Sequence, residues 1–177
     1  MNYVIDILLK FQGIIGALSG VLLALITTQL LKSVGKTYYY FSNWEGNFYG
    51  NFNGRQGKTD IISEADSFKY SFKIQIYNSS EIIKILKDIT IEIHNDKKIV
   101  KNVPIDTGKT EYRDNRYTKS YNLNILNIVP KQILELELHG YIMKSGTNLN
   151  DLSKIDAVYF VGHDYKNKKI QKLIKKY

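Results

Sequence analysis

The sequence predicts a mainly β fold: an N-terminal transmembrane helix followed by an antiparallel β-sandwich of the immunoglobulin-like kind. Three observations support this prediction. Residues 11–31 contain no charged side chain, apolar and polar side chains alternate through much of the remaining chain, and no long helical pattern separates the alternating segments. About eight short alternating segments in succession are typical of a sandwich or a small barrel. A small lipocalin-like β-barrel is the alternative, because Trp44, Gly46 and Phe48 open the first segment.

Residues 11–31, flanked by Lys10 and Lys32, have the length and composition of a membrane span. At about 1.5 Å per residue the helix would be about 31 Å long, which matches the roughly 30 Å hydrocarbon core of a bilayer. A buried core helix would show a polar face, and a cleaved signal peptide would have a shorter apolar segment and a small-residue cleavage site. We therefore predict an uncleaved anchor over residues 1–32 and a linker over residues 33–37.

Small residues recur at four-residue spacing along one face of this helix. Gly16 and Gly20 form a GxxxG pattern, and Ala24 continues it. Small side chains let two membrane helices approach closely, so the pattern predicts self-association through the span. The alternative interpretation is that glycine is simply frequent in membrane helices.

The charges that flank the span predict its orientation, because lysine and arginine favour the cytoplasmic side of a membrane. Lys10 and the α-amine precede the span together with Asp6, whereas Lys32 and Lys36 follow it. The difference favours a cytoplasmic β domain on a single-pass cell-membrane protein. The extracytoplasmic orientation is the alternative.

The formal net charge of +8 is concentrated at the C-terminus. Residues 166–177 contain six lysines and no acidic residue, whereas residues 32–165 contain 18 basic and 16 acidic side chains. The C-terminal segment fits either a short amphipathic helix or a final edge strand protected by lysines. In both interpretations this basic tail is predicted to contact the membrane surface or an anionic partner. Its lysines are Lys166, Lys168, Lys169, Lys172, Lys175 and Lys176.

Alternating side chains define the β domain, which is predicted over residues 38–165. The clearest strand has an apolar face made of Phe68, Tyr70, Phe72, Ile74 and Ile76. Lysine and polar side chains occupy the positions between them, as expected for a half-buried strand. The next strand is predicted to point Ile85, Ile89, Ile91 and Ile93 inward, and Asp88, Thr90 and Glu92 outward.

Two polar segments are predicted to be exposed loops. Residues 53–60 contain the turn signals Asn-Gly and Gln-Gly, and residues 104–120 are polar and of mixed charge. Binding residues often lie on polar loops that a rigid sheet positions. Arg113 and Arg116 are therefore the candidate partner contacts in the second loop.

The sequence contains no motif for catalysis or cofactor binding. It has no phosphate-binding loop, no nucleophile elbow and no cysteine. His94, His139 and His163 lie far apart at outward or turn positions, and Glu135 and Glu137 share an expected solvated face of one strand. We therefore predict no catalytic residue, no metal site, no cofactor and no enzyme activity.

These features predict a non-enzymatic binding module at a bacterial membrane. A membrane-tethered nucleic-acid-binding domain is an alternative, since the aromatic residues within 38–52 are followed by Arg55 and Lys58. Aromatic side chains beside a basic groove are typical of sites for single-stranded nucleic acids. The alternation places most of these aromatic residues on the buried face, however, and the body of the domain carries little net charge.

The layout of the chain resembles that of prophage superinfection-exclusion proteins, which have one N-terminal span and a small β domain. The apolar segment 11–31 with its GxxxG pattern supports this resemblance. The chain is also similar to membrane-anchored β-barrel effectors of anti-phage systems, through the same span and through residues 44–50. The first resemblance implies phage exclusion at the membrane, and the second implies an oligomerising effector that disrupts the membrane.

Overall fold

The computed structural model describes residues 10–52, 54–95, 98–109, 111–113 and 117–177. Within them one helix, α1 (Gln12–Ser33), precedes the strands. The strands are β1 (Thr37–Phe52), β2 (Arg55–Lys58), β3 (Ser67–Asn78), β4 (Lys84–Asn95), β5 (Lys98–Asn102), β6 (Ile105–Asp106), β7 (Glu111–Arg113), β8 (Tyr117–Lys119), β9 (Ile125–Ile128), β10 (Ile133–Met143), β11 (Ala157–His163) and β12 (Lys169–Lys176). Short 3-10 helices lie at Ile62–Glu64, Thr107–Lys109 and Leu149–Leu152.

The strands form a sandwich of two antiparallel sheets. The first sheet has the order β2-β1-β3-β10-β6, and the second has the order β12-β11-β4-β5 with β9 paired to β4. β7 and β8 form a separate hairpin. In the described strands no backbone ladder joins the two sheets, which meet through their side chains instead. The sandwich prediction is therefore confirmed, and the lipocalin-like barrel is wrong.

The predicted inward faces fill the space between the sheets. Phe72, Ile74 and Ile76 of β3 are at most 1% exposed, and Ile91 and Ile93 of β4 are fully buried. Burying a side chain of this size contributes roughly 1.5–3 kcal/mol of hydrophobic free energy. The period-two pattern thus identifies the core of both sheets.

The predicted inward position of Ile85 is wrong. Its side chain is 42% exposed, and Leu86 is buried in its place. Asp88 has a φ of 52°, and the pairing of β4 with β11 changes register beside it. This bulge inserts one extra residue, so Leu86 before it and Ile89 after it both face the core.

The C-terminal lysine segment forms β12, which pairs with β11 along its length. Of the two interpretations, the edge strand is the one observed, and the β structure continues to Lys176 rather than ending at residue 165. A short isolated helix has little to stabilise it, whereas this strand gains backbone hydrogen bonds and packs Ile170 and Ile174 against the core. Trp44 Nε1 also donates a 2.6 Å hydrogen bond to Tyr177 Oη, which ties the chain end to β1.

The predicted loop over residues 104–120 contains regular structure. Ile105 and Asp106 are buried in β6, where Ile105 pairs with His139 of β10. Burial of the apolar Ile105 at the edge of the first sheet stabilises the pairing of this segment with β10. Arg113 is the last residue of β7, and Arg116 lies outside the described residues.

A short hydrogen-bonded junction connects α1 to the sandwich. The Glu81 N–H donates to the Lys32 carbonyl at 3.1 Å, and the Ser79 N–H donates to the Lys36 carbonyl at 3.0 Å. Gly35 has a φ of 148°, and a Cβ on it would lie 2.5 Å from the Ser80 backbone nitrogen. Only glycine fits this position without a backbone shift. The predicted linker is therefore held against the loop that follows β3.

Asn78 organises that loop from the end of β3. Its side chain is fully buried. The Nδ2 group donates to the Ile82 carbonyl at 2.8 Å and to the Ile128 carbonyl at 3.0 Å. The Oδ1 atom accepts hydrogen bonds from the Ser80 N–H at 3.1 Å and from the Ser80 hydroxyl at 2.7 Å. One side chain therefore fixes the β3–β4 loop and joins it to β9.

Candidate functional site

The outer surface of the second sheet carries lysines around a partly apolar centre. We call this surface the lysine face, and it comprises Glu92, His94, Lys98, Ile99, Lys101, Tyr159, Lys169, Leu173 and Lys176. Its residues come from β4, β5, β11 and β12, which lie side by side. None of these four strands would form the surface alone.

Strand register arranges the lysine face in two rows. Lys101, Glu92, Tyr159 and Leu173 are direct neighbours across the sheet. Ile99, His94, Ala157 and Lys176 form the next row, toward the end of β4. Directly opposed residues in antiparallel strands have Cβ atoms roughly 5 Å apart, so each row is a continuous strip of side chains.

Glu92 is the buried counter-charge beneath the lysine face. Its side chain is 2% exposed, although it points away from the core. The Lys101 Nζ lies 3.1 Å from Oε1, the Lys169 Nζ lies 3.3 Å from Oε2, and the His94 Nε2 lies 3.4 Å from Oε2. Burial acts to raise the pKa of Glu92, but the hydrogen bonds from these three side chains and the charge of Lys169 outweigh burial and lower that pKa.

We expect the Glu92 carboxylate to make stability depend on pH. Its pKa is lower in the folded state than the value of about 4.3 for an unfolded chain, so in acid the unfolded state binds more protons. The stabilisation is complete above the unfolded pKa and is lost as the pH falls through the folded pKa. Glu92→Gln should cost about 1 kcal/mol at pH 7, since Lys101 and Lys169 are well solvated and the ion pairs are partly screened.

Urea unfolding between pH 7 and pH 3, followed by the fluorescence of Trp44, would measure this effect. Glu135→Gln is the matched control, because Glu135 is exposed and pairs with the Gln75 amide. The Glu92→Gln variant should lose less stability on acidification than the wild type. An unchanged pH slope in the Glu92→Gln variant would contradict the ionic role of Glu92.

Apolar side chains occupy the centre of the lysine face. Ile99 is 53% exposed and Leu173 is 48% exposed, and both line the same shallow depression. The Tyr159 ring packs on the His94 ring with 4.7 Å between centroids, which fixes the floor of the depression. An exposed apolar centre with a charged rim is the composition of a protein interaction surface.

The histidines of the chain lie at three separate places. His94 belongs to the lysine face, the His139 Nδ1 lies 3.0 Å from the Thr107 hydroxyl, and the His163 Nδ1 lies 3.7 Å from an Asp88 carboxylate oxygen. Burial lowers the pKa of His139. In the part of the chain that the structure describes, no group of three or more His, Cys, Asp or Glu side chains could hold a metal ion. Glu135 and Glu137 are exposed on β10, as predicted.

The six lysines of the predicted basic tail do not form one surface. Lys166 and Lys168 lie in the β11–β12 turn, where the backbone N–H groups of both donate to the Asp164 carboxylate. Lys169 is bound to Glu92, and Lys172 lies over the Tyr39 ring. Lys175 lies over the Tyr177 ring, and Lys176 belongs to the lysine face. The strand conformation therefore distributes these charges along the whole edge of the sandwich.

The small residues of α1 have no partner within the described chain. Helical spacing places Gly16, Gly20 and Ala24 on one face, and nothing lies within 4 Å of a Cβ built on either glycine. Self-association through this face therefore stays a prediction.

Gln12–Lys32 is long and apolar enough to cross a membrane, with a mean hydropathy of 2.1 and no buried residue, and a signal sequence can share these properties.

Most aromatic side chains of β1 pack against the core. Tyr39, Phe41, Trp44 and Phe48 pack against the buried cluster. Tyr38 and Tyr40 are the more exposed members of the segment, at 49% and 72%. Among the described side chains of this segment, the stacking platform of the nucleic-acid alternative thus reduces to Tyr38, Tyr40 and the half-buried Tyr49.

Sequence reasoning missed the lysine face. Ile99 and Lys101 alternate with the buried Val100, so the parity of β5 already indicated an outward isoleucine beside a lysine. Glu92 was expected on the outer face, as observed. The neighbours of Glu92 could not be predicted, because they come from strands distant in sequence.

Comparisons with known proteins give one family and two further likenesses. The family model described as the YopI Ig-like domain matches residues 35–175. The SPbeta prophage-derived uncharacterized protein YopI of Bacillus subtilis (strain 168) is 30% identical over 173 residues, which cover 95% of each chain. The crystal structure of the putative ApaA protein from Bordetella pertussis covers 81% of this chain and 91% of its own, at 6% identity and a TM-score of 0.35. A structural likeness that weak carries no argument.

Proposed function

The chain belongs to the YopI Ig-like domain family, and from this premise we propose that it is a membrane-anchored, non-enzymatic binding protein that acts in phage exclusion. The relative from the SPbeta prophage supports the phage context. The apolar helix α1 supports the anchor, and the immunoglobulin-like domain supports a role in binding. The proposed binding site is the lysine face.

The exposed apolar centre of the lysine face is the observation that carries this proposal. Ile99 and Leu173 stand on the outer surface of a rigid four-strand array, with lysines on both sides. Protein interfaces combine an apolar core with a polar rim, and a few side chains near the centre carry most of the binding energy. The chemistry fits an acidic protein surface that carries an apolar side chain.

The position of the lysine face suits a protein held at a membrane. β4 begins at Lys84, close to the junction with α1, and ends at Asn95 beside the second row of the face. At roughly 3.3 Å per residue, the two rows of the face lie about 26 and 33 Å along this strand from Lys84, whereas Lys169 lies at the level of Lys87. The anchor would therefore hold the apolar centre of the lysine face clear of the bilayer, accessible to a partner.

We expect Leu173→Glu to abolish phage exclusion by the full-length chain in a bacterial host. A charge at the centre of an interface should weaken binding about tenfold or more. Ile61→Glu is the matched control, because Ile61 is 54% exposed and lies outside the lysine face. The measurement is the plating efficiency of a panel of phages on cells that express each variant at equal level.

A photo-crosslinking residue at position 173 would identify the chemical class of the partner. A nuclease-resistant adduct from position 173 that yields peptides of a second polypeptide, absent from position 61, is the expected result. A nuclease-sensitive adduct would instead support the nucleic-acid alternative. The proposed function would be overturned if the wild-type protein left the plating efficiency of the phages unchanged. It would also be overturned if Leu173→Glu lowered the plating efficiency as much as the wild type.

A further inference from the structure

Exposed and half-buried apolar residues surround the end of the sandwich from which α1 emerges. We call this group the collar, and it comprises Tyr38, Tyr77, Ile82, Ile83, Val129 and Ile133. Ile83 is 58% exposed and Ile133 is 66% exposed. Both are aliphatic side chains in or beside turns, where a soluble domain normally carries polar residues.

Backbone hydrogen bonds place the collar at the level of the helix end. Glu81 donates to the carbonyl of Lys32, the first charged residue after the apolar segment. Ile82 and Ile83 follow Glu81 directly, so they lie beside the last turn of α1. The Lys36 N–H also donates to the Ser79 hydroxyl at 2.8 Å, which closes the junction from the other side.

The remaining collar residues belong to the same end of the sandwich. The Lys131 N–H donates to the Asn78 carbonyl at 2.8 Å, which joins the β9–β10 turn to the β3–β4 loop. Ile133 is the direct neighbour of Tyr77 across the first sheet. The Tyr77 ring stacks on the Tyr38 ring with 6.2 Å between centroids.

Several lysine side chains lie beside the collar. Lys36, Lys84, Lys168 and Lys172 line one groove beside the junction, together with Asp164. Lys131 lies on another side of the collar, where its Nζ donates to the Ser79 carbonyl at 2.7 Å. With Glu81 and Asp164 as the acidic residues, this end of the domain is positive. Anionic lipid attracts such residues by about 1 kcal/mol for each lysine near the surface, and tyrosine favours the headgroup layer.

We infer that the collar is seated in the headgroup layer of a bilayer that contains anionic phospholipid. The domain then has two attachments to the membrane, the span and the collar, and keeps one orientation with the apolar centre of the lysine face directed away. The inference rests on the proposed function, since the collar reaches the bilayer only if α1 spans it. The continuity of the collar with the helix end identifies the bilayer as its occupant.

The absence of cysteine from the chain permits a direct test. Full-length Ile83→Cys, Ile133→Cys, Ile99→Cys and Leu22→Cys would each carry one nitroxide label in vesicles of phosphatidylcholine with phosphatidylglycerol. Accessibility of the label to oxygen and to a water-soluble nickel complex reports its depth. The nickel accessibility at positions 83 and 133 should be about fivefold lower than at position 99, as expected for side chains within the interfacial layer. In vesicles of phosphatidylcholine alone, the difference in nickel accessibility between these positions and position 99 should be smaller.

The outcomes separate the two proposals. If position 22 is in lipid while positions 83 and 133 are as accessible to nickel as position 99, the collar inference fails and the anchor stands. If position 22 is accessible to nickel, the anchor itself fails, and the proposed function fails with it. A difference between positions 83 and 99 that is the same with and without phosphatidylglycerol would overturn the role of the lysines.

Discussion

Replacing Asn78 by alanine is expected to lower the free energy of unfolding by about 3 kcal/mol, because each buried polar group left without a partner costs roughly 1–3 kcal/mol. The asparagine satisfies the carbonyls of Ile82 and Ile128 as well as the N–H and hydroxyl of Ser80. Alanine leaves the Ile128 carbonyl and the Ser80 N–H without this partner in a buried site, whereas the Ser80 hydroxyl keeps its hydrogen bond to the Ile82 carbonyl. Urea unfolding of the full chain in detergent, followed by the fluorescence of Trp44, would measure the loss.

Asn127→Ala is the matched control for this experiment. Asn127 lies on β9 next to Ile128, but its side chain is exposed. A surface substitution of this kind should change stability by less than about 0.5 kcal/mol. Equal stabilities for the two variants would mean that Asn78 does not organise the β3–β4 loop.

Gly140→Ala is expected to destabilise the sandwich by about 3 kcal/mol, the upper range for overpacking a core. Gly140 pairs with Tyr70 of β3, and the Tyr70 ring covers the strand where a side chain would otherwise stand. A Cβ on Gly140 would overlap the Tyr70 hydroxyl and would lie 2.5 Å from the Asn102 Oδ1. The ring has nowhere to move, because it is 3% exposed and stacks on Trp44 with 5.5 Å between centroids.

Displacing Tyr70 would also break the 2.6 Å hydrogen bond that its hydroxyl donates to Asn102. The pKa of this hydroxyl is raised by burial, so it stays a proton donor at all ordinary pH values. Gly146→Ala is the control, since a Cβ there meets nothing closer than 4.0 Å. Thermal unfolding should separate the two variants, and a wild-type midpoint for Gly140→Ala would show that the Tyr70 ring is free to shift.

Both substitutions bear on the proposed binding role. Asn78 holds the loop that carries the collar residues Ile82 and Ile83, so its loss should loosen the attachment of the domain to the membrane surface. Gly140 lies in the first sheet and contributes no side chain to the lysine face, although a Cβ on it would reach Asn102 at the end of β5. A binding defect in Gly140→Ala would therefore follow from instability or from a shift of β5, whereas one in Leu173→Glu would follow from the surface itself.

Several features could be predicted because they depend on short-range order in the chain. The uncharged segment before Lys32 indicates an apolar helix, and the alternation from Phe68 to Ile76 indicates the central strand. A period of two allows one face of each strand to be buried whatever its neighbours are. The prediction that Ile85 faces inward was wrong for a local reason. The bulge at Asp88 reverses the alternation of β4, and no strong sequence signal marks it.

The sequence by itself determined the apolar helix, the mainly β domain and the identity of most core residues, since hydrophobic burial follows from side-chain periodicity alone. Only the tertiary structure decided that the C-terminal lysines lie on an edge strand, that Glu92 is enclosed by Lys101 and Lys169, and that the collar lies beside the helix end. These arrangements join residues that are distant in the chain: Lys169 lies 77 positions from Glu92, and Tyr177 at the end of the edge strand lies 133 positions from Trp44. Strand order and register bring such residues together, and neither is encoded in any single segment.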